Sequence, residues 1–504
     1  MRRFLITVSA GLLVCSSAWP GAEDLPDIGT PADATITQSD EYQIGLMVVK
    51  GLRDAGRILE DPETTEYIQS IGNRLASHAQ DGKQRFTFFV VKDPGINAFA
   101  LPGGFIGVNE GLILATADES ELAAVLAHEI AHVTQRHVAR SIQAEGRSSL
   151  VSAAAMLAAI LIGATTGVGA DVMTGAIAVA QGAAAQQRLN FTRANEYEAD
   201  RIGIGTMAAS GFDPQAMPAF FETMGRRAGL QGSQIPELLQ SHPVTTARIA
   251  ESRNRAKAYD IPMPPDSTSY GLTRERLRLL SLDTGTDART YYSQYLATHK
   301  DRTDAQRYGQ ALSLMQSGAA EEAIPVLQGL SEQNPDVMQY RSALGEAQMA
   351  TGEKQESLST FARALTLFPR NVPLTVRYAE ALMRAGQPKK AHDILLDLFN
   401  NVYPTPEQCR LIALAANSAG DVGDAYYYMS EYHVMSGELM LALNQLQLAL
   451  AVPNLSEVQR ARYQARLDEL REYLPKGKAR MAAGGGDDGS GKTSKTEPHP
   501  RLTR

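Results

Sequence analysis

At 504 residues the chain is too long for a single hydrophobic core, so two or three domains are expected. It is 44% hydrophobic and 21% charged, an ordinary composition for a folded soluble protein. The net charge of -8 offers no basic surface, which argues against nucleic acid as a partner.

The chain begins like a secretory signal. Arg2 and Arg3 form a short basic region, Phe4 to Cys15 is uncharged and mostly apolar, and Ser16-Ser17-Ala18 supplies the small residues at which a leader is cut. Residues 1–18 are therefore expected to be a removable signal peptide. A membrane anchor and a lipidated Cys15 are the competing readings. With the leader gone, Cys409 is the one cysteine left, so no internal disulfide can form. Export from a Gram-negative cell would place the protein in the periplasm.

Helical spacing of apolar residues predicts helices over 41–59 and 63–78. Phe86 to Val91 reads as a strand, and Pro102-Gly103-Gly104 separates two more, Asn97 to Leu101 and Phe105 to Val108. A short helix over 110–116 follows. A longer one, capped by Asp118 or Ser120, is expected to run through His132 to about Ala144. Ser148 to Ala170 carries no charge, and Val172 to Gln187 continues in the same Ala- and Gly-rich manner. That stretch suits a hairpin that lids the site or lies on a membrane surface, a buried helical pair, or a true span. Helices are expected again over 193–207 and 214–227, with a domain boundary at Pro262 to Pro265.

From about residue 300 a repeat can be counted. Gly318, Gly352, Gly386 and Gly420 lie 34 residues apart. Ala323, Ser357, Ala391 and Ala425 follow in register, as do Leu327, Phe361, Leu395 and Met429. Pro335 and Pro369 close the first two units, and Gly437 with Ala442 repeats the opening step once more. A 34-residue period with small, large and proline anchors is the tetratricopeptide signature. The tail, 476–504, is Gly-, Asp-, Ser- and Lys-rich and is expected to be disordered.

The chemistry lies in His128-Glu129-Ile130-Ala131-His132. On a helix, residues four apart share a face, so His128 and His132 can reach one metal ion, with Glu129 beside them as a general base toward water. A peptidase zinc site needs a third protein ligand from another element. Glu196-Tyr197-Glu198-Ala199-Asp200 offers it: Glu196 can ligate while Asp200, one turn on, orients a ligating histidine. Glu198 is expected to point elsewhere into solvent. His137, His299, His392 and His433 are expected to be ordinary exposed histidines. His242, in His242-Pro243, is equally readable as a cap before a helix or as a group near the metal. Asn97 to Leu101 is a candidate edge strand for an extended substrate. Two imidazoles and a carboxylate suit Zn2+, one per chain.

His128-Glu129-Ile130-Ala131-His132 with the downstream Glu196-x-x-Ala199-Asp200 resembles the HtpX, OMA-type and prenyl-CAAX protease family of zincins. Pro102-Gly-Gly-Phe-Ile, Phe191-Thr-Arg-Ala-Asn-Glu-Tyr-Glu-Ala-Asp-Arg and Ser241-His-Pro-Val-Thr-Thr-Ala-Arg look like its exported, repeat-bearing branch, from about residue 40 to 470. The resemblance implies a mostly α fold with a small β-sheet. A zincin metalloprotease domain, 23–265, would be followed by a tetratricopeptide α-solenoid, 300–475. It implies His128, His132 and Glu196 as ligands, Glu129 as the base and Asp200 behind a ligand. His242 would fill the fourth position and hold the enzyme latent, and Arg248 would face the substrate or its oxyanion. It further implies unfolded or misassembled outer-membrane proteins as substrates and the β-barrel assembly machinery as a partner, with possible membrane-surface contact through 148–187. Members of that branch can carry a disulfide in the repeats, which the lone Cys409 does not allow. The alternative reading is a periplasmic chaperone or assembly scaffold with a latent or structural zinc site. A structural site has no use for a general base, and this chain keeps Glu129.

Overall fold

The computed structural model describes residues 37–79, 85–144, 193–230, 236–259, 261, 264–282, 286–298 and 302–472. The expected signal peptide, the apolar stretch 148–187, His299 and the tail after 475 lie outside the described residues. Among the described residues, no helix is long and apolar enough to cross a membrane.

Helix α1, Gln38–Asp54, opens with a reciprocal capping box between Thr37 and Asp40. Helix α2, Pro62–Ala76, has Asp61 as its cap and proline in its first turn. A three-stranded sheet follows: β1, Thr87–Val91; β2, Ala98–Leu101; β3, Phe105–Asn109. The order is β1-β3-β2, with β1 parallel and β2 antiparallel to β3, so β2 lies at an edge as its sequence suggested. All five residues of β3 are buried. One face packs on α2 through Phe88, Val90 and Ile106, the other on α1 through Phe89, Leu101 and Phe105.

Helix α3, Glu110–Ala115, leads into α4, Glu119–Thr134, whose cap is Asp118. Nearly every residue of α4 is buried, because the helix runs through the centre of the N-terminal core. The single helix expected as far as Ala144 is in fact two. Gln135 ends α4, Arg136 turns left-handed with φ 52°, and α5, His137–Ala144, starts in a new direction. A side chain rarely accepts that conformation unless its surroundings enforce it. Here the Arg136 guanidinium bonds Glu41 of α1, Nε to Oε1 at 2.7 Å. Then come α6, Arg193–Ala209; α7, Ala216–Leu230; the short α8, Glu237–Ser241; and α9, Thr246–Ala256.

The repeats form antiparallel helix pairs from Asp304–Gln316 to Glu457–Glu472. Their glycines have a geometric cause: Gly318, Gly352, Gly386, Gly420 and Gly437 all have φ between 72° and 88°, where a helix ends on a left-handed residue. Ala323, Ser357 and Ala391 are fully buried where paired helices meet, and Leu327, Phe361 and Leu395 fill the space beside them. The stack starts upstream of the expected residue 300. Thr268–Leu280 and Ala288–Ala297 place Leu272, Leu279, Ala288, Tyr292 and Leu296 in one core with residues 308–347. Tyr270 and Leu277, on the other side of Thr268–Leu280, belong to the N-terminal core. That helix is therefore shared between the two parts.

A buried ionic cluster fastens them. Asp61, while capping α2, accepts hydrogen bonds from Arg276 at 2.6–3.0 Å and from Arg377 at 2.9 Å. Glu63 pairs with Arg377 at 2.9 Å and accepts from the Ser342 hydroxyl at 3.0 Å. Farther along, Lys50 lies 3.4 Å from Glu438 and the Arg85 guanidinium sits 5.0 Å over the Tyr403 ring. The later repeats thus meet the N-terminal domain again.

Candidate metal centre and active site

Helices α4 and α6 approach closely because small residues line the seam. Ala131 and Ala199 are fully buried, and a Cβ on Gly203 would lie 3.3 Å from the Ala127 and His128 backbone. This proximity carries Glu196 and Asp200 onto the face of α4 that bears His128 and His132. The Nε2 atoms of the two histidines lie 3.0 Å apart, with Glu196 Oε2 3.6 Å from the first and Oε1 3.5 Å from the second.

His242 completes the cluster from the segment after α8. Its Nδ1 is 3.0 Å from Glu196 Oε1 and 3.3 Å from His128 Nε2, and its Nε2 is 3.6 Å from Glu129 Oε1. The cap of α9 is Thr245, whose hydroxyl accepts from the Arg248 amide at 3.2 Å. His242 closes α8 through its backbone amide, does not cap α9, and turns its ring to the cluster. One donor atom from each of His128, His132, Glu196 and His242 fits within 4.8 Å of all the others, and the four residues are buried. Three imidazoles and one carboxylate converging in this way form a donor set for a divalent cation, with His and Glu donors typical of zinc.

Glu129 is fully buried beside them, and neither of its oxygens closes a hydrogen bond of ordinary geometry, the Ala100 backbone of β2 being a donor near enough to act on it. Two buried acceptors without donors are costly unless a proton-bearing partner visits them. Burial pushes the Glu129 carboxyl above the usual range, against the pull of His242 and His128. Burial also opposes a charged His128, but hydrogen bonds to Asp200 and Glu196 outweigh it and push its pKa up to about 10. Glu196 shows the balance from the other side: burial would raise it, yet His242 and His128 hold it well below its ordinary value.

All seven residues singled out from the sequence meet here. Arg248 lines the pocket beside Glu129 and is held by acceptors of the site. Its Nε and Nη2 each donate to Asp200 at 2.8 Å, and its Nη1 lies 2.8 Å from the Pro243 carbonyl and 2.7 Å from Glu196 Oε2. The guanidinium is held by Asp200, Glu196 and the Pro243 carbonyl at the edge of the pocket. Asp200 Oδ1 lies 3.0 Å from His128 Nδ1, the position expected for a carboxylate behind a ligand. Beside His128 and Glu129 opens an apolar pocket lined by Val125, Met217, Phe220, Met224, Leu238 and Val244.

Two residues expected in solvent are engaged instead. His137 is fully buried, with Nδ1 2.8 Å from His132 Nδ1 and Nε2 3.1 Å from Glu198 Oε2. Burial lowers its pKa. Glu198 is only part-exposed and also accepts from Arg140 at 3.2 Å. Five residues past His132, His137 would be off the ligand face if α4 continued; the left-handed turn at Arg136 brings it back. In the repeats His392 is likewise buried, 3.1 Å from Asp424, and His433 is 2.8 Å from Glu438.

Residues 62–256 match Peptidase family M48. The chain is 34% identical over 454 residues to the Beta-barrel assembly-enhancing protease of Escherichia coli (strain K12), covering 90% of this chain and 92% of that one. It is 33% identical over 459 residues to the protein of the same name from Yersinia pestis, with 90% and 92% covered. The Mitochondrial metalloendopeptidase OMA1 of Schizosaccharomyces pombe is 32% identical over 186 residues, 37% of this chain and 51% of that one. Likeness over nearly the whole of both chains, joined to a buried His-Glu-x-x-His cluster, makes this chain a metallopeptidase that belongs to peptidase family M48, among the β-barrel assembly-enhancing proteases.

Proposed function

We propose that the protein is an exported zinc endopeptidase that acts on unfolded or misassembled outer-membrane β-barrel proteins and is directed to them by its repeats. The observation that carries the reading is the meeting of His128, His132 and Glu196 around one point, with the unsatisfied Glu129 carboxylate beside it. In this reading those three hold Zn2+, one per chain. Once bound, the metal supplies Lewis-acid activation of water and polarisation of the scissile carbonyl. Glu129 takes the proton of the attacking water and passes it to the leaving amine. Asp200, fixed by Arg248, orients His128. The edge strand β2 receives the substrate extended, and the apolar pocket beside Glu129 accepts a hydrophobic side chain next to the scissile bond. His242 shares the donor cluster and so competes for the fourth position, which keeps the resting enzyme latent.

The substrate class is supported by the name the bacterial relatives carry, and the periplasm by that name together with the leader-like residues 1–18. The repeats suit docking of protein partners such as the β-barrel assembly machinery, because stacked helical hairpins present an extended surface. The second reading, an assembly scaffold that works without proteolysis, is favoured by that same array and is compatible with the first. Metal analysis tests the core of the proposal. Wild-type protein purified without chelators is expected to carry one zinc per chain, and Glu196→Gln to lose most of it. Full zinc retention by Glu196→Gln would remove Glu196 from the ligand set.

A further inference from the structure

His132 Nε2 faces His128 and Glu196, so its other nitrogen points out of the cluster. There it meets His137 Nδ1 at 2.8 Å, and the far nitrogen of His137 meets the Glu198 carboxylate at 3.1 Å. We propose that His137 and Glu198 form a relay that orients His132 and fixes the tautomer in which its Nε2 is free to bind metal. The inference rests on the reading of His132 as a ligand.

The directions of the hydrogen bonds follow from what each group can do. An ionised carboxylate only accepts, so the Nε2 of His137 that faces Glu198 must carry the proton. In a neutral imidazole the other nitrogen is then a bare acceptor, here Nδ1. A contact of 2.8 Å between two ring nitrogens requires one proton between them, and His132 must supply it from Nδ1. That leaves the lone pair of His132 on Nε2, toward the cluster. With the chain reversed, His137 would donate to His132, the His132 proton would sit on Nε2, and coordination would be blocked. Glu198 decides between the two, because the reversed chain would set a bare nitrogen against a carboxylate. The two histidines are thus supported differently: His128 has a carboxylate directly behind it, whereas His132 reaches one through a second imidazole.

The backbone is built to hold this arrangement. His137 is the first residue of α5, and it comes beside His132 after the left-handed turn at Arg136, whose side chain bonds Glu41 of α1. One turn along α5, Arg140 holds the outer side of Glu198. His137 and Glu198 touch neither the pocket nor the point of convergence, so their role is positioning.

The test measures metal affinity by chelator competition, and the visible spectrum of the Co2+-substituted protein, for His137→Phe, His137→Asn, Glu198→Gln and His132→Ala. Loss of a partner behind a ligand typically costs 10–100-fold in affinity. His137→Phe fills the ring space without an acceptor and is expected to fall in that range with an altered Co2+ spectrum. His137→Asn keeps an acceptor oxygen and is expected to recover most of the affinity. Glu198→Gln, at a part-exposed position, is expected to weaken binding several-fold while the apoprotein melts at the wild-type temperature. Wild-type affinity and spectrum in both His137→Phe and Glu198→Gln overturn the relay; should His137→Phe not fold, the same result in Glu198→Gln alone does so. Wild-type affinity in His132→Ala overturns the ligand reading itself, whereas loss of metal there with an unaffected His137→Phe overturns the relay alone.

Discussion

Arg248 grips Asp200 through two hydrogen bonds of 2.8 Å, and Asp200 in turn lies 3.0 Å from His128 Nδ1. A lysine cannot reproduce this fork, since an ammonium is a point charge without the planar pair of donors. Arg248→Lys is therefore expected to lower metal affinity by about 10–100-fold, the range for lost support behind a ligand. Chelator competition checks it. Undiminished affinity would mean that Asp200 needs no anchor.

His242 and the substrate water compete for one place in the proposed site. His242→Ala is expected to raise basal casein hydrolysis several-fold at unchanged zinc content. Equal activity in the variant and the wild type would show that His242 does not restrain the resting enzyme.

The ionic cluster between the catalytic domain and the repeats makes acid a test of their union. Burial would raise Asp61 and Glu63, but Arg276 and Arg377 hold both carboxyls below their ordinary values. A carboxylate depressed in the folded state stabilises it fully above the unfolded pKa, about 4. That stabilisation fades as pH falls through the depressed folded value. Glu346, beside Arg377, is pushed upward by burial and contributes with the opposite sign at higher pH. Stability is thus expected to drop below about pH 4. Arg377→Met, which leaves buried carboxylates partly unpaired, is expected to cost roughly 3–5 kcal/mol and to flatten that drop. Urea unfolding at pH 7 and pH 3.5 measures both effects, and an unchanged midpoint in Arg377→Met would remove the cluster from the account.

A chain ending at residue 298 keeps Arg276, Tyr270 and Leu277 against the catalytic core. It is expected to cleave unfolded casein yet to lose co-purification with outer-membrane assembly components. Undiminished co-purification would show that the repeats do not dock the partner.

The ligand motif and the repeat could be read directly, because helical spacing and a fixed period are properties of the chain itself. Glu196 and Asp200 were legible for the same reason: four residues apart, they share a face. The turn at Arg136 was not. It carries no glycine or proline, and the side chain at its left-handed residue bonds Glu41, 95 residues away. Spacing alone therefore points His137 and Glu198 to solvent. The shared helix Thr268–Leu280 was missed because its two apolar faces serve different cores, leaving no single amphipathic stripe to mark a boundary. Arg248 was recognised as part of the site, but its partner could be identified only once α6 and α9 were seen packed together.

The central claim is that Glu129 acts as the base of a metal-dependent hydrolysis. Casein hydrolysis by purified Glu129→Gln protein, with its zinc content measured on the same sample, tests it most directly. One zinc per chain is expected, with a rate lower by roughly 10²–10⁴-fold or more, since a base is not a ligand and its loss affects turnover alone. Wild-type hydrolysis by the zinc-loaded variant would contradict it.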